Sequence, residues 1–545
     1  MSTIFRKFPS SLSNSHWYNC STKYEIAVVI VVALVGHFGV VWLPEYPPLY
    51  DFPNHMARHY LENLSLGGES LPIVYGVDYG LMPNLGGDLI IPVLIHFFPV
   101  VTAGKIFLSF SLLLFGFGAV LYVSQQHDYK SGGVVAALLI VPWLLNYILF
   151  MGFINCYAGL GATLLVFWNY RRLYEKRILT RTSIYFHTVL VTTLFFWHLT
   201  AIGLYFILVL GHLVFRAIRD RMSSGRYLIR GTPLIISGIP ALLLIVWYSF
   251  TGTNECALSG IIEHSPIREK MAHSVTGLFG GYFRWIDVFV FTCWLIAIWA
   301  SFSLKTRKII SWNWLYAECA VLLIVYLLLP ARIGATFAVY RRMLPILFVC
   351  VVAVIGALPL RMPRLGLWIV AMCLVVRLIS IGYAWNKLSD DIAAHLDELK
   401  KLPEGSTLLI NNQYCDVYYK NTGHAAAWAV PERNLIVSSL FAIPGAQPLT
   451  NVLYRNDTDS SVIVKRDGHL EADEKKVGIQ FQYLWLCNQS GYEFEAPHHW
   501  KLLHQYKAIA LWQISTCVFM SDPLKKEHDR NLSPTRSRTI AEKFV

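Results

Sequence analysis

The chain has 545 residues, 55% of them hydrophobic, 14% aromatic and only 15% charged, with a formal net charge of +12. Soluble domains carry about 25% charged residues, so the composition excludes an ordinary soluble domain and predicts a polytopic membrane protein. The basic residues fall in short clusters between apolar runs, where they report topology and exclude nucleic acid as the partner.

Taken in chain order, residues 1–24 are polar and read as a cytoplasmic segment, and the apolar run at 25–44 lacks an A-x-A cleavage site, so it is expected to stay as the first span. A helix needs about 20 apolar residues to cross the hydrocarbon core. Further spans are predicted at 103–124, 132–150, 153–170, 183–199, 200–216, 232–250, 286–303, 313–330, 343–360 and 364–383, about eleven in all. The run at 87–101, containing IIPVLIHFFPV, is short and broken by proline, and reads as a juxtamembrane or re-entrant helix. The clusters at 171–181, 216–230, 305–308 and 361–364 then all fall on the cytoplasmic side, as short basic loops should.

From residue 384 the pattern changes to a charged helix-like stretch, SDDIAAHLDELKKL, and then to short β-branched runs divided by Gly, Pro and Asn. This predicts a mixed α/β domain at 384–524 on the exocytoplasmic side, followed by a flexible tail at 525–545. The ten cysteines form no CxxC pair, and Cys293, Cys319, Cys350 and Cys373 lie inside apolar runs as small hydrophobes. Cys415, Cys487 and Cys517 fall on the oxidising side, so one disulfide is expected, its pairing open.

On this topology the unusual polar residues collect on one face. The first exocytoplasmic loop, 45–102, holds Asp51, His55, Arg58, Asp78 and Asp88; Asn146 and Asn155 flank a turn, His198 sits at a hairpin, Arg332, Arg341 and Arg342 share an outer loop, and Arg377 lies in the last span. If FPNHMARHY is helical, Asp51, His55 and Arg58 project from one side. Pro53 suits the first turn, which leaves Asp51 beside the positive end of the helix, held ionised and usable as a general base. Each residue has a structural reading too: Asp51, Asn146 and Asn155 as helix caps, Arg341 and Arg342 as lipid-facing ends of spans, His198 as a packing residue. In the C-terminal region His424, Trp428, Glu432, Arg433 and Gln447 form a polar and aromatic set suited to sugar or acceptor contacts, or to packing on the membrane body.

The order of parts resembles the glycosyltransferase C superfamily: a first span leading directly into a long exocytoplasmic loop with an early acid (Asp51), the Pro-containing segment PNLGGDLIIPVLIHFFP, a many-span body and a C-terminal domain. YDFPNHMAR and GHAAAWAVPERNLIVSSLFAIPGAQPL also resemble uncharacterised bacterial membrane proteins of this type. The superfamily often has Asp-Glu or Glu-Asp where this chain has Asp51-Phe52, and His55 with Arg58 is not a general feature of it.

The resemblance implies transfer of a sugar, with inversion, from a polyprenyl-phosphate carrier to a glycan, lipid or protein acceptor at the outer face of a bacterial inner membrane. Asp51, with His55, would serve as catalytic base, and Arg332, Arg341 or Arg342 would clamp the phosphate, a task His55 and Arg58 could share. Asp88, Asn155, His198 and His424 would contact substrate. Without a clear Asp-x-Asp, no metal and no cofactor are expected, the lipid-linked sugar being a substrate. A lipid or solute transporter would instead show internal symmetry and ionisable groups within the spans, whereas these spans read as nearly charge-free. A membrane O-acyltransferase with His198 as base would need a donor entry from the cytoplasm.

Overall fold

A computed structural model describes residues 20–72, 74–124, 130–219, 225–251, 262–279, 282–301, 314–334, 336–357, 363–414, 424–442, 447–451, 463–466, 469–472, 481–488 and 493–514. The basic segment 305–308, Cys415, Cys517, most of 1–24 and the tail 525–545 lie outside the described residues.

The protein is an α-helical polytopic membrane protein with a sheet-containing C-terminal domain. Its helices are α1 (Cys20–Trp42), α2 (Phe52–Leu66), α3 (Gly86–Phe97), α4 (Val100–Ser124), α5 (Lys130–Ile140), α6 (Tyr147–Phe150), α7 (Ile154–Lys176), α8 (Arg181–Trp197), α9 (Leu199–Arg219), α10 (Gly225–Ile236), α11 (Ile239–Thr251), α12 (Ile267–Thr276), α13 (Arg284–Ser301), α14 (Trp314–Leu328), α15 (Leu344–Ala357), α16 (Arg364–Leu399) and α17 (Ala429–Arg433). Every apolar run read as a span contains helix. Among the described residues six helices are long and apolar enough to cross a membrane. At 1.5 Å per residue the 12-residue α3 reaches only about 18 Å, too short for a crossing.

Close approach of glycines sets the bundle's packing. A Cβ on Gly161 would lie 2.5 Å from Phe115 N, and one on Gly118 would lie 2.6 Å from Gly161 O, so α4 and α7 meet backbone to backbone. Arg377 is buried in the bundle, where it donates to Asp287 and to the carbonyls of Leu145 and Leu278, both at 2.7 Å. That one guanidinium ties α16 to α13 and to two turns.

The expectation of nearly charge-free spans is corrected here. Toward the end of the bundle away from Asp51, buried Glu318 accepts from Tyr122 at 2.8 Å, and His212 lies 3.7 Å from Glu318 and 3.9 Å from Glu175. Arg216 pairs with the same Glu175. These groups sit far apart in sequence and come together only after α7, α9 and α14 have packed.

The boundary placed at residue 384 falls inside a single helix. α16 runs unbroken for 36 residues: it contains no Pro, and Gly382, just before the composition turns polar, is carried within it. Its far end belongs to the C-terminal domain: Asp391 accepts from Lys507 Nζ at 2.5 Å, and His395 stands edge-on to Trp485 at 5.1 Å.

That domain is built on a five-stranded mixed sheet. Its strands are β5 (Thr407–Tyr414), β6 (Ile436–Val437), β10 (Tyr483–Asn488), β12 (Lys501–Tyr506) and β13 (Ile509–Gln513), in the order β12-β13-β10-β5-β6. β5 is parallel to both neighbours, and β13 is antiparallel to both of its own. Cys487 is disulfide-bonded, its partner outside the described residues. A strand of the first loop, β1 (Tyr75–Val77), pairs antiparallel with β7 (Leu449–Asn451) of the domain, and Tyr60 Oη donates to Asn434 Oδ1 at 2.9 Å. The segment Ala425–Val430 is fully buried against the body, with Trp428 edge-on to Tyr46 and Phe52 at 5.4 and 5.9 Å.

Candidate active site

FPNHMARHY is helical, with Pro53 in the first turn of α2 and Asp51 at its N-cap position. The Asp51 side chain makes no capping hydrogen bond, so the cap reading does not apply to it. The loop is held through its backbone instead. Tyr50 N–H donates to Phe150 O at 3.0 Å and Asp51 N–H to Met151 O at 3.1 Å. Gly152, at φ +75°, closes the turn between α6 and α7, and a Cβ there would press within 2.8 Å of Asp51 N. Asn146 is the true cap of this region, accepting from Ile148 N–H at 3.1 Å.

Asp51 is only 3% exposed. Burial pushes its carboxyl up to about 8, while nearby Arg342 pulls it down. Burial thus works against the expectation that the helix end keeps it ionised, and desolvation outweighs the guanidinium. A carboxyl poised near neutrality can take up and release a proton in turnover.

Arg342 Nη1 lies 2.9 Å from His198 Nε2, and its guanidinium stacks 4.5 Å above the Phe153 ring. His198 Nδ1 meanwhile accepts from Thr200 N–H at 3.0 Å. Burial holds this imidazole neutral, so it has one lone pair and one N–H, yet both ring nitrogens face donors. The pair has one donor too many. Arg342 Nε is also buried without a partner among the described residues, so this guanidinium keeps donor capacity to spare.

Arg341 presents the opposite case. Its Nη1 donates to Tyr147 Oη at 3.0 Å and its Nη2 to His273 Nε2 at 2.6 Å, while His273 Nδ1 meets Tyr340 Oη at 2.6 Å. One tautomer of His273 satisfies all of these contacts. Arg332 sits on a small exposed sheet, β2 (Ile262–Glu263), β3 (Arg332–Ile333) and β4 (Thr336–Phe337), with Glu263 at 3.5 Å and its Nε donating to Gly334 O. Of the three arginines, Arg342 is the one coupled electrostatically to Asp51.

Arg58 and Asp88 are joined to each other. Arg58 Nη2 lies 2.8 Å from Asp88 Oδ1 and its Nε 3.4 Å from Glu62 Oε1, while His59 Nδ1 lies 2.8 Å from Glu62 Oε2. All four side chains are buried, and they lock α2 against α3. Burial, opposed by Arg58, pushes Glu62 up to about 7 and Asp88 up to about 6. The ligand atoms of His59, Glu62 and Asp88 lie within 4.8 Å of one another, a spacing that could hold a cation. Arg58 already supplies positive charge there. His55 stacks on His59 at 6.2 Å and meets Phe441 edge-on at 5.5 Å. Asn155 Nδ2 donates to Asn84 O at 2.8 Å, fixing the loop that leads into α3.

From the C-terminal domain, His424 Nε2 comes to 3.6 Å from Asp51 Oδ1. Glu432 binds Tyr46 and Lys400, Arg433 donates to Leu402 O, and Trp428 is packed as above. Sequence reasoning passed over His59 and Glu62, although continuing the helical face from Asp51 through His55 and Arg58 leads directly to Glu62.

No family model matches the chain, and no curated protein matches it. Two solved structures are similar in the course of the chain. One is ArnT from Cupriavidus metallidurans in the apo state, 11% identical, with 75% of this chain and 85% of that one covered at a TM-score of 0.47. The other is ArnT from the same organism bound to undecaprenyl phosphate, 10% identical, with 90% and 98% covered at a TM-score of 0.47.

Proposed function

We propose that the chain is an integral membrane glycosyltransferase that moves a sugar from a polyprenyl-phosphate carrier to an acceptor hydroxyl at the exocytoplasmic face, with inversion. The observation that carries this reading is a buried carboxyl free of any capping duty, coupled to an arginine whose donors its histidine neighbour does not fully satisfy. Asp51 takes the proton of the acceptor hydroxyl as its oxygen bonds to the anomeric carbon. The bond from that carbon to the carrier phosphate breaks, and the electron pair leaves with the phosphate. Arg342 and the His198 N–H hold that charge. The C-terminal domain covers the site from outside, in keeping with the basic loops at the other end of the bundle and with the Cys487 disulfide, which suits an oxidising compartment. A bacterial inner membrane with the N-terminus in the cytoplasm fits the same charge pattern.

A transporter is the second reading, favoured by one observation, the buried Glu318–His212 pair within the spans. Membranes containing the protein, supplied with undecaprenyl-phosphate sugars carrying radiolabel in the sugar and with envelope acceptors, separate the two. A glycosyltransferase yields label covalently bound to acceptor, lost in Asp51→Asn. Label that crosses the bilayer still on its carrier would replace this reading with transport.

A further inference from the structure

The carboxyl of Asp51 is faced by groups from three places. Arg342 comes from the outer loop and Tyr50 from the preceding residue with Tyr147 behind it, while the C-terminal domain sends His424. His424 is anchored on its other side: Asn54 Nδ2 donates to His424 Nδ1 at 2.8 Å. An amide N–H can bond that nitrogen only through its lone pair, so the single ring proton resides on Nε2. Nε2 is the atom turned toward Asp51 Oδ1. The ring is braced by Tyr50 edge-on at 4.7 Å and by Phe441 at 5.7 Å.

We infer that His424 is a positioning residue of the C-terminal domain: with its tautomer set by Asn54, it directs an N–H at Asp51 and stabilises the carboxylate form of the base. This rests on the reading of Asp51 as base given above. The domain then contributes to proton transfer, and it contributes to the site whether or not it touches sugar. Burial keeps His424 itself neutral, pushed down to about 4, so its contribution is that of a dipole and does not switch near neutral pH. Arg342 and the His424 N–H thus reach Asp51 from two separate parts of the chain, and both oppose the desolvation that favours its protonated form.

The test follows Asp51 directly. In the full-length protein in lipid nanodiscs, the infrared band of the protonated carboxyl, identified by its absence in Asp51→Asn, is titrated with pH in wild type, His424→Ala, His424→Gln and Asn54→Leu. His424→Ala should raise the titration midpoint by about one unit, which lowers transfer at pH 7 about tenfold and restores it at higher pH. His424→Gln, whose amide N–H replaces Nε2–H, should fall between wild type and His424→Ala. Asn54→Leu, which frees the tautomer without touching Asp51, should move the midpoint in the same direction and serves if the alanine variant does not fold. A midpoint unchanged in both His424→Ala and Asn54→Leu overturns the inference, even if wild type transfers sugar. A shifted midpoint in a protein that transfers no sugar upholds the His424–Asp51 coupling and overturns the glycosyltransferase reading instead.

Discussion

Two groups of buried charges lie along α2, and they are built on opposite plans. The tetrad of Arg58, His59, Glu62 and Asp88 is paired by charge, each carboxylate meeting a cation or an imidazole, although Arg58 Nε, His59 Nε2, Glu62 Oε1 and Asp88 Oδ1 keep no hydrogen-bond partner among the described residues. The group around Asp51 stays open, its carboxyl 3.6 Å from a neutral histidine and its arginine facing a ring that cannot satisfy it. Opposite charges packed between two helices hold them together, whereas a carboxyl and a guanidinium that do not pair directly cost stability and are retained where a substrate completes them.

The contrast is tested most sharply at Asp51. Asp51→Asn should reduce transfer by about 10³-fold, within the range of a lost general base, and should raise the melting temperature in detergent. A carboxyl lifted to about 8 in the fold stabilises less as pH rises from its unfolded value, so a neutral amide removes that loss. A lower melting temperature in Asp51→Asn would mark the residue as structural. Breaking the tetrad should do the reverse: Arg58→Ala leaves two buried carboxylates without their cation, a loss of about 3–5 kcal/mol that shows as unfolded or degraded protein.

Arg342→Ala should lower kcat about a hundredfold, the scale of one lost donor to a developing charge, and Arg341→Ala, its contacts already closed, considerably less; equal losses would undo the distinction between them. A pH titration of stability sharpens the comparison further. Glu62, raised to about 7 in the fold, adds stability below its unfolded value and loses it as pH rises through 7, so the melting temperature should fall from pH 5 to pH 8 and Glu62→Gln should flatten that slope. Smallest of all, Arg332→Ala on the exposed β3 should change stability by no more than about 0.5 kcal/mol and leave the rate alone.

The sequence displayed the helices, the shortness of 87–101, the helical face from Asp51 and the sheet domain, because hydrophobic runs and helical spacing are local signals. It did not distinguish Arg342 from Arg341 and Arg332, since adjacent residues differ here only in whether Tyr147 and His273 or His198 happen to stand opposite. Glu318 and His212 escaped notice for a related reason: single polar residues in long apolar runs carry no pattern until three helices bring them together. The depth of burial at Asp51, which raises its carboxyl, is not visible in the sequence, whereas the helix end beside it is.

The unbroken α16 is about 54 Å long and outreaches a hydrocarbon core of about 30 Å, so the body and the C-terminal domain share one rigid axle. Each residue added to or removed from that axle turns its far end by about 100°. The angular phase of one helix, set many residues before His424, therefore bears on that histidine's contact with Asp51, together with the β1–β7 pairing and the buried Ala425–Val430 segment. A single-residue insertion near Asn386 should set the helix against those other anchors and lower the melting temperature along with activity.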